Sequence, residues 1–256
     1  MNWFAFPERA RTEEAARDLV LRSGEAVPVR WVRDARARTL RLIVNERGIR
    51  LTVPRSASVR SAETFLFEHR DWLQSQLAKR PTVEIRPFTR EGDTQLQLRD
   101  EKIPLEWREG RYTRAERGEH AVVITQTAKA GEKQVRSALK DFYLQQARAD
   151  LGTWLPKYLP SLPRAPIAFR LRPLSSLWGS LSPSDAMSLD LALVLGRPSA
   201  FEYVLVHELC HLIHRNHSRR FWREVEARCP DWRDDRIYLH GDGLAIKAEL
   251  RRSISA

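Results

Sequence analysis

The chain of 256 residues is long enough for one large domain or two smaller ones, and its 42% hydrophobic content excludes an intrinsically disordered protein. No apolar run approaches the ~20 residues of a membrane span, and the start lacks a secretory hydrophobic core, so we expect a cytoplasmic protein without membrane contact. The net charge of +11 is spread over the whole length, which makes nucleic acid a candidate partner through a diffuse basic surface.

Two details of the composition narrow the class of protein. Cys210 and Cys229 are too few for a disulfide framework or a four-thiolate zinc site, which agrees with a reducing compartment. The densest basic run, residues 30 to 41, contains five arginines and a single aspartate. We expect a solvated strand face there, and a phosphate-binding ribbon is the alternative.

The first part of the chain is predicted to be rich in strands. Residues 1 to 28 form an N-terminal extension, and residues 29 to 127 form a β-rich unit with one helix. Hydrophobic alternation on both sides of the sequence NERG predicts a hairpin over 38 to 54. A helix is predicted from about 58 to 79, with Ser58 as its N-cap. Short strands are predicted at 95 to 99, 103 to 107 and 121 to 125.

A second unit is predicted over 130 to 256, after a seam in the sequence AKAGEK. It begins with an amphipathic helix that is interrupted near Gly152 and ends near Pro156. A proline-rich linker and a strand at 167 to 172 follow. The next strand, at 187 to 195, shows the clearest alternation in the chain, with five hydrophobic residues on one face.

The stretch 204 to 222, VLVHELCHLIHRNHSRRFW, carries four of the chain's seven histidines. Helix start signals precede it, namely Pro198 and an S-x-x-E capping box formed by Ser199 and Glu202. Hydrophobic residues then occur on nearly every side, which predicts a buried helix. Because buried imidazoles and carboxylates need polar partners, a bound metal ion is expected there.

His207, Glu208 and His211 form the pattern H-E-x-x-H in this helix. The two histidines are four residues apart, so their rings project from one face and their nitrogens can meet on a single cation. Glu208 lies roughly 100° around the helix from His207, close to the ion without ligating it. The pattern therefore predicts a zinc site with Glu208 as the general base for a metal-bound water.

The third ligand must come from beyond the helix. His214 continues the same face, but at ~1.5 Å per residue it lies ~10.5 Å along the axis from His207, too far for both to bond one zinc ion at ~2.1 Å. A turn is favoured after His214 because Asn tolerates a positive φ. His217 is therefore the preferred third ligand, ahead of His240 and Glu224.

These features resemble the YgjP-like metal-dependent hydrolase family, which is similar to the SprT-like and WLM zinc metallopeptidases. The matching stretches are WGSLS at 178 to 182, MSLDLALVL, FEYVLVHELCHLIHRNHSRRFW and the CPDW that follows. The spacing H-E-x-x-H-x5-H is also that of the metzincins. Those proteins have a glycine where this chain has His214, and a later methionine that this chain lacks.

The resemblance implies an α+β fold with a zincin-like catalytic domain, in which the H-E-x-x-H helix packs on a small antiparallel sheet. It also implies one catalytic zinc ion, held by His207, His211 and His217, with Glu208 as the base. One departure is Leu181, where the family has cysteine. Any role of that thiol is therefore absent here.

Three imidazoles leave one position open on zinc, which is typical of catalytic sites. We therefore expect a zinc metallopeptidase that cleaves a peptide or protein substrate, with action near nucleic acid as a candidate role. The strand at 187 to 195 is a candidate for edge pairing with that substrate. Candidates for stabilising the oxyanion are several arginines together with Tyr203, Tyr238 and His240.

Two other functions stay open at this point. The first is a metal-dependent phosphohydrolase that acts on nucleoside triphosphates, in which arginines hold the phosphates. The chain has no P-loop and no acidic two-metal cluster to support it. The second is a nucleic-acid-binding module with a structural zinc ion, against which the open coordination position and Glu208 both count.

Overall fold

The computed structural model describes residues 13 to 45, 48 to 78 and 86 to 255. The chain forms two compact units, Met1–Pro81 and Thr82–Ala256, each with its own hydrophobic core. Within the three described ranges, no helix is both long and apolar enough to cross a membrane.

Six elements make up the first unit: β1 (Glu13–Val20), β2 (Ala26–Asp34), β3 (Arg41–Asn45), β4 (Gly48–Pro54), α1 (Val59–Glu68) and α2 (Arg70–Ala78). The strands form one sheet in the order β1-β2-β4-β3. Antiparallel pairing of β3 with β4 confirms the predicted hairpin, and Gly48 has the φ of +114° that favours glycine. Glu46 and Arg47, in the predicted turn, lie outside the described residues.

Strand β1 lies within residues 1 to 28, which the sequence assigned to an extension. It pairs with β2 along its whole length, so the sheet begins earlier than predicted. Its sequence, EEAARDLV, has no alternation of hydrophobic and polar residues. Strand prediction depends on that alternation, so β1 is recognised only from its pairing with β2 in the structure.

The single helix predicted from about 58 to 79 is two helices in the structure. Ser58 caps α1 as predicted, because its side chain accepts a hydrogen bond from the backbone N–H of Ser61 at 3.0 Å. The break falls at His69, whose ring nitrogen Nδ1 lies 2.8 Å from the carbonyl oxygen of Phe65. Hydrophobic periodicity continues through this position, so it does not predict the break.

The second unit contains two small sheets and five helices in its described part. Its strands are β5 (Gln95–Leu98), β6 (Glu101–Glu109), β7 (Arg114–Arg117), β8 (Val122–Gln126), β9 (Ala168–Arg172), β10 (Gly179–Leu181) and β11 (Ala186–Asp190). Its helices are α3 (Glu132–Tyr158), α4 (Pro198–Cys210), α5 (Arg219–Arg228), α6 (Trp232–Gly241) and α7 (Gly243–Ile254). The sheet orders are β5-β6-β8-β7 and β10-β11-β9. This is an α+β architecture, as predicted.

The seam expected at 128 to 133 falls inside the second unit, and the chain divides near residue 81 instead. One core joins Ile124 of the first of these sheets to Leu139 of α3 and Leu205 of α4. The strands before the seam belong with the helices after it because α3 covers one face of their sheet. Sequence composition does not show such long-range packing.

Helix α3 runs unbroken for 27 residues, through both Gly152 and Pro156. Pro156 lies in the last turn, and its missing N–H leaves the carbonyl of Gly152 without its intrahelical partner. The predicted interruption at Gly152 is therefore wrong, since packing of the helix on the core outweighs the low helix propensity of glycine.

Gly152→Ala is expected to raise the free energy of unfolding by about 1 kcal/mol, because alanine favours the helix and its methyl group would meet nothing within 4 Å. Urea denaturation of the purified variant measures this change. Gly110→Ala is the contrasting control, since its methyl group would collide with the Thr125 side chain. Equal or lower stability of the Gly152 variant would contradict the expectation.

The strand predicted at 187 to 195 ends at Asp190. A short 3-10 helix, Leu191–Leu195, follows, and the Asp190 side chain caps it by accepting from the backbone N–H of Ala192 at 3.0 Å. All ten residues from 186 to 195 are buried, so their pattern does not separate a strand from a helix. In addition, β11 is the middle strand of its sheet, so the predicted edge pairing of a peptide with it is wrong.

Candidate metal centre

Helix α4 carries the H-E-x-x-H pattern and is buried, as predicted. It begins after Arg197, and the expected capping box is wrong because both of its side chains have tertiary partners. The hydroxyl of Ser199 donates to Asp235 at 2.7 Å, and the carboxylate of Glu202 accepts from the Tyr158 hydroxyl at 2.7 Å. The small sheet β10-β11-β9 beside α4 is also mixed and not antiparallel, since β9 and β11 run parallel.

The helix ends at the second histidine of the pattern, because His211 is its C-cap. Tight turns follow, in which the backbone N–H groups of Leu212 and Ile213 bond to carbonyls three residues earlier. Ser218 then caps α5, and its side chain accepts from the backbone N–H of Phe221 at 3.4 Å. This reversal brings the segment after residue 214 back towards α4.

The structure brings the side chains of His207, His211 and His217 together. Their candidate ligand atoms all lie within 4.8 Å of one another, and Nε2 of His207 is 3.0 Å from Nε2 of His217. Nitrogens held tetrahedrally by one zinc ion at ~2.1 Å lie roughly 3.4 Å apart. The donor set therefore fits a zinc ion. Among the described residues, it is the one group of three or more His, Cys, Asp or Glu side chains close enough to hold a metal.

The two histidines on α4 have the neutral, lone-pair form that a metal ligand needs. Burial, followed by the neighbouring His211 and His217, lowers the pKa of His207 to about 3. Burial also lowers the pKa of His211. The Nδ1 atom of His211 lies 3.0 Å from the backbone carbonyl of His214, and a proton donated there leaves Nε2 with its lone pair towards the cluster.

The side chain of Glu208 extends from α4 to Gly179 of β10, and the residue is only 6% exposed. Burial raises the pKa of its carboxyl group to about 8, although the backbone N–H of Leu181 donates to the carboxylate and partly offsets the effect. Gly179 of β10 lies so close to Glu208 that an added Cβ would be 2.7 Å from Cγ and 2.8 Å from Oε1. A side chain at position 179 would therefore displace the carboxylate.

Gly179→Ala is expected to reduce hydrolytic activity by up to roughly 100-fold while the three histidines keep their metal affinity, because only the carboxylate is displaced. The activity and the bound metal of the purified variant are to be measured together. Gly241→Ala is the matched control, since its methyl group would meet nothing within 4 Å. Wild-type activity in the Gly179 variant would show that Glu208 does not depend on this close approach.

Aromatic side chains enclose the three imidazoles on the side of α5. The ring of Phe221 lies 4.9, 4.6 and 4.8 Å from the rings of His207, His211 and His217. Trp222 stacks on His217 at 5.8 Å. Such an apolar layer limits the access of water and stiffens the rings. Sequence reasoning assigned no role in the site to this layer, although Phe221 and Trp222 follow His217 by only four and five residues.

Most other candidate residues point elsewhere. His240 lies exposed on α6, outside the three-histidine group. Glu224 is paired with Arg228 at 2.7 Å. The hydroxyl of Tyr238 donates to Asp100 at 3.2 Å, on the side of the β5–β6 turn. These three residues are therefore poorly placed as a ligand or an oxyanion donor.

Tyr203 and Arg236 lie near the cluster. The ring of Tyr203 meets that of His207 edge to face at 5.9 Å. The guanidinium of Arg236 lies 5.6 Å from the ring centre of Trp222, and its charge helps to lower the pKa of His207. Tyr203 was named from the sequence as a candidate oxyanion donor. Arg236 was not singled out among the arginines, because nothing in the local sequence indicates that α6 lies near the histidines.

A buried ion pair anchors the segment that leads into β10. The Lys247 ammonium of α7 donates to the carbonyls of Leu174 and Leu177 at 3.1 and 2.9 Å, and it pairs with the Asp190 carboxylate. It also lies 4.4 Å from the ring centre of Trp178. These contacts hold the residues immediately before Gly179, and with them the strand that borders Glu208.

This combination of a buried helix, converging histidines and an enclosed carboxylate is typical of a metal-dependent peptidase. Residues 38 to 241 match the family described as YgjP-like, metallopeptidase domain. The match spans well over half of the chain, so the protein belongs to the YgjP-like metallopeptidase family and is a metallopeptidase-like enzyme.

Among solved structures, the chain is similar to the crystal structure of the metallopeptidase zymogen abylysin from Pyrococcus abyssi. The two sequences are 30% identical over a match that covers 40% of this chain and 93% of that one, with a TM-score of 0.26. No curated protein matches this chain.

Proposed function

We propose that this protein is a zinc-dependent peptidase. In this proposal His207, His211 and His217 hold one catalytic zinc ion in a zincin-like domain, and Glu208 is the general base. The observation that carries the proposal is the convergence of three imidazoles beside a buried carboxylate, in a member of a metallopeptidase family.

The ligand count favours a catalytic role over a structural one. Structural zinc sites are usually closed by four protein ligands, whereas catalytic sites keep one position open. In the described part of the chain, the group contains three histidines and no fourth His, Cys, Asp or Glu ligand. This speaks against a nucleic-acid-binding module with a structural zinc ion.

A zinc ion held by His207, His211 and His217 would lower the pKa of a water molecule and polarise a peptide carbonyl. The carboxylate of Glu208 would accept a proton from the attacking water and pass it to the leaving amine. The N–H of Leu181 binds the carboxylate and fixes its direction, and Gly179 leaves room for it. The aromatic rings of α5 exclude bulk water from one side.

Strand β10 replaces the strand at 187 to 195 as the proposed substrate edge. Among the described residues it is the end strand of its sheet and pairs with β11 alone, in antiparallel fashion. The backbone groups of Gly179 and Leu181 face away from β11, because Trp178 and Ser182 on either side of them bond to the β11 side. The N–H of Leu181 is bound to Glu208, so this edge would offer a peptide the groups of Gly179 and the carbonyl of Leu181. An extended peptide that pairs with this edge would lie directly beside Glu208.

The proposal is tested with the purified full chain, before and after loading with zinc. Bound metal is measured first, and casein-derived peptides, with and without DNA, and nucleoside triphosphates are then offered as substrates. We expect one zinc ion per chain and cleavage of peptide bonds. A chain that binds no zinc after loading, or that hydrolyses only the triphosphates, would refute the proposal. Contact with nucleic acid and a cytoplasmic location stay predictions from the sequence.

A further inference from the structure

The loop between His211 and His217 is bonded to the turn between β10 and β11. Arg215 lies in this loop, between His214 and His217. Its NH1 group donates to the backbone carbonyl of Ser182 at 3.0 Å, and its NH2 group pairs with the carboxylate of Asp185. One side chain therefore joins the loop to a turn about 30 residues earlier in the sequence.

Asp185 is a fixed partner for this arginine. Its side chain is only 16% exposed, and it also accepts from Nε of Arg164 at 2.6 Å. Its backbone N–H donates to Ser182 at 3.0 Å, and its carbonyl accepts from the N–H of Ile167 at 3.0 Å. Because the backbone and the carboxylate are both held, the ion pair restrains Arg215 more than a mobile surface pair would.

The third histidine needs such a restraint more than the other two do. His207 and His211 are held by a buried helix, whereas His217 is exposed and follows a turn. Ordering an exposed segment at the moment of metal binding costs conformational entropy, which lowers the affinity. Arg215 precedes His217 by two residues, so a fixed Arg215 limits the positions that His217 can take.

We propose that Asp185 and Arg215 are positioning residues for the metal centre, in which their ion pair preorganises the turn that presents His217. The inference rests on the proposed zinc site. Neither residue belongs to the three-histidine group. Loss of the pair is expected to lower the zinc affinity by roughly 10-fold or more, the usual effect of removing a group that orients a metal ligand.

The test compares Arg215→Gln, Arg215→Lys and Asp185→Asn with wild type in zinc titrations against a competing chelator. Arg215→Gln and Asp185→Asn should bind zinc more weakly, and Arg215→Lys should recover part of the loss because it keeps the charge. Absorption of the cobalt(II)-substituted protein reports the ligand geometry. Thermal unfolding of the metal-free variants shows whether the fold is intact.

Arg164→Gln is the comparison variant, because it loosens Asp185 but leaves the Arg215–Asp185 pair in place. Its loss of zinc affinity should be clearly smaller than that of Arg215→Gln. Wild-type affinity in Arg215→Gln, or an equal loss in Arg164→Gln, would overturn the inference while leaving the proposed zinc site standing. A wild-type chain that binds no zinc would overturn both.

Discussion

Glu208→Gln is expected to reduce peptide hydrolysis by roughly 100- to 10,000-fold while the bound zinc is unchanged, because an amide cannot accept the proton that the reaction releases. Glutamine has nearly the same shape, and its carbonyl can still accept the N–H of Leu181. The rate constant kcat/KM on a casein-derived peptide and the zinc content of the same sample are the two measurements.

The control for this variant is Glu226→Gln, which makes the same chemical change on α5. Glu226 is exposed and paired with Arg233 at 2.8 Å, away from the enclosed carboxylate of Glu208. Its kcat/KM should match that of wild type. If Glu208→Gln also hydrolysed peptides at the wild-type rate, another group would have to be the base.

His217→Ala is expected to lower the zinc affinity by more than roughly 100-fold, since loss of a direct ligand should exceed the 10- to 100-fold effect of losing a supporting group. His214→Ala should have little effect. His214 contributes its backbone carbonyl, which accepts from Nδ1 of His211 at 3.0 Å, and alanine keeps that carbonyl. Competition with a chelator of known zinc affinity measures both variants.

His214→Ala and His217→Ala are well-matched variants for this comparison, because the two residues are three positions apart and neither is buried. Thermal unfolding of the metal-free proteins should therefore be similar for both variants. A larger loss of zinc affinity in His214→Ala than in His217→Ala would overturn the ligand assignment.

Local geometry accounts for the parts of the site that could be predicted from the sequence. A rise of ~1.5 Å per residue places His207 and His211 one turn apart. His214 was excluded on the assumption that the helix continues to it, whereas α4 ends at Cys210 and His214 lies in the turns that follow, outside the three-histidine group. The same reasoning required a turn before His217, and the structure has one there. The cap at Ser58 and the hairpin of β3 and β4 are local in the same sense.

Tertiary contacts decided the features that the sequence did not predict. Ser199 and Glu202 have the spacing of a capping box, yet each bonds to a residue more than 30 positions away. The run from 186 to 195 alternates like one strand, but it forms a short strand and then a 3-10 helix that the Asp190 side chain caps, and every residue in it is buried. Burial on all sides removes the information that periodicity carries.

The sequence by itself determined that His207 and His211 could meet on one ion, because that depends on distances within one helical turn. It preferred His217 as the third ligand but left His240 and Glu224 as alternatives. Only the tertiary structure decided what surrounds the site: Gly179 against Glu208, Phe221 against the imidazoles, and Asp185 holding Arg215. These contacts join segments that lie far apart in the sequence. Their formation depends on how sheets and helices pack, which no short stretch of residues specifies.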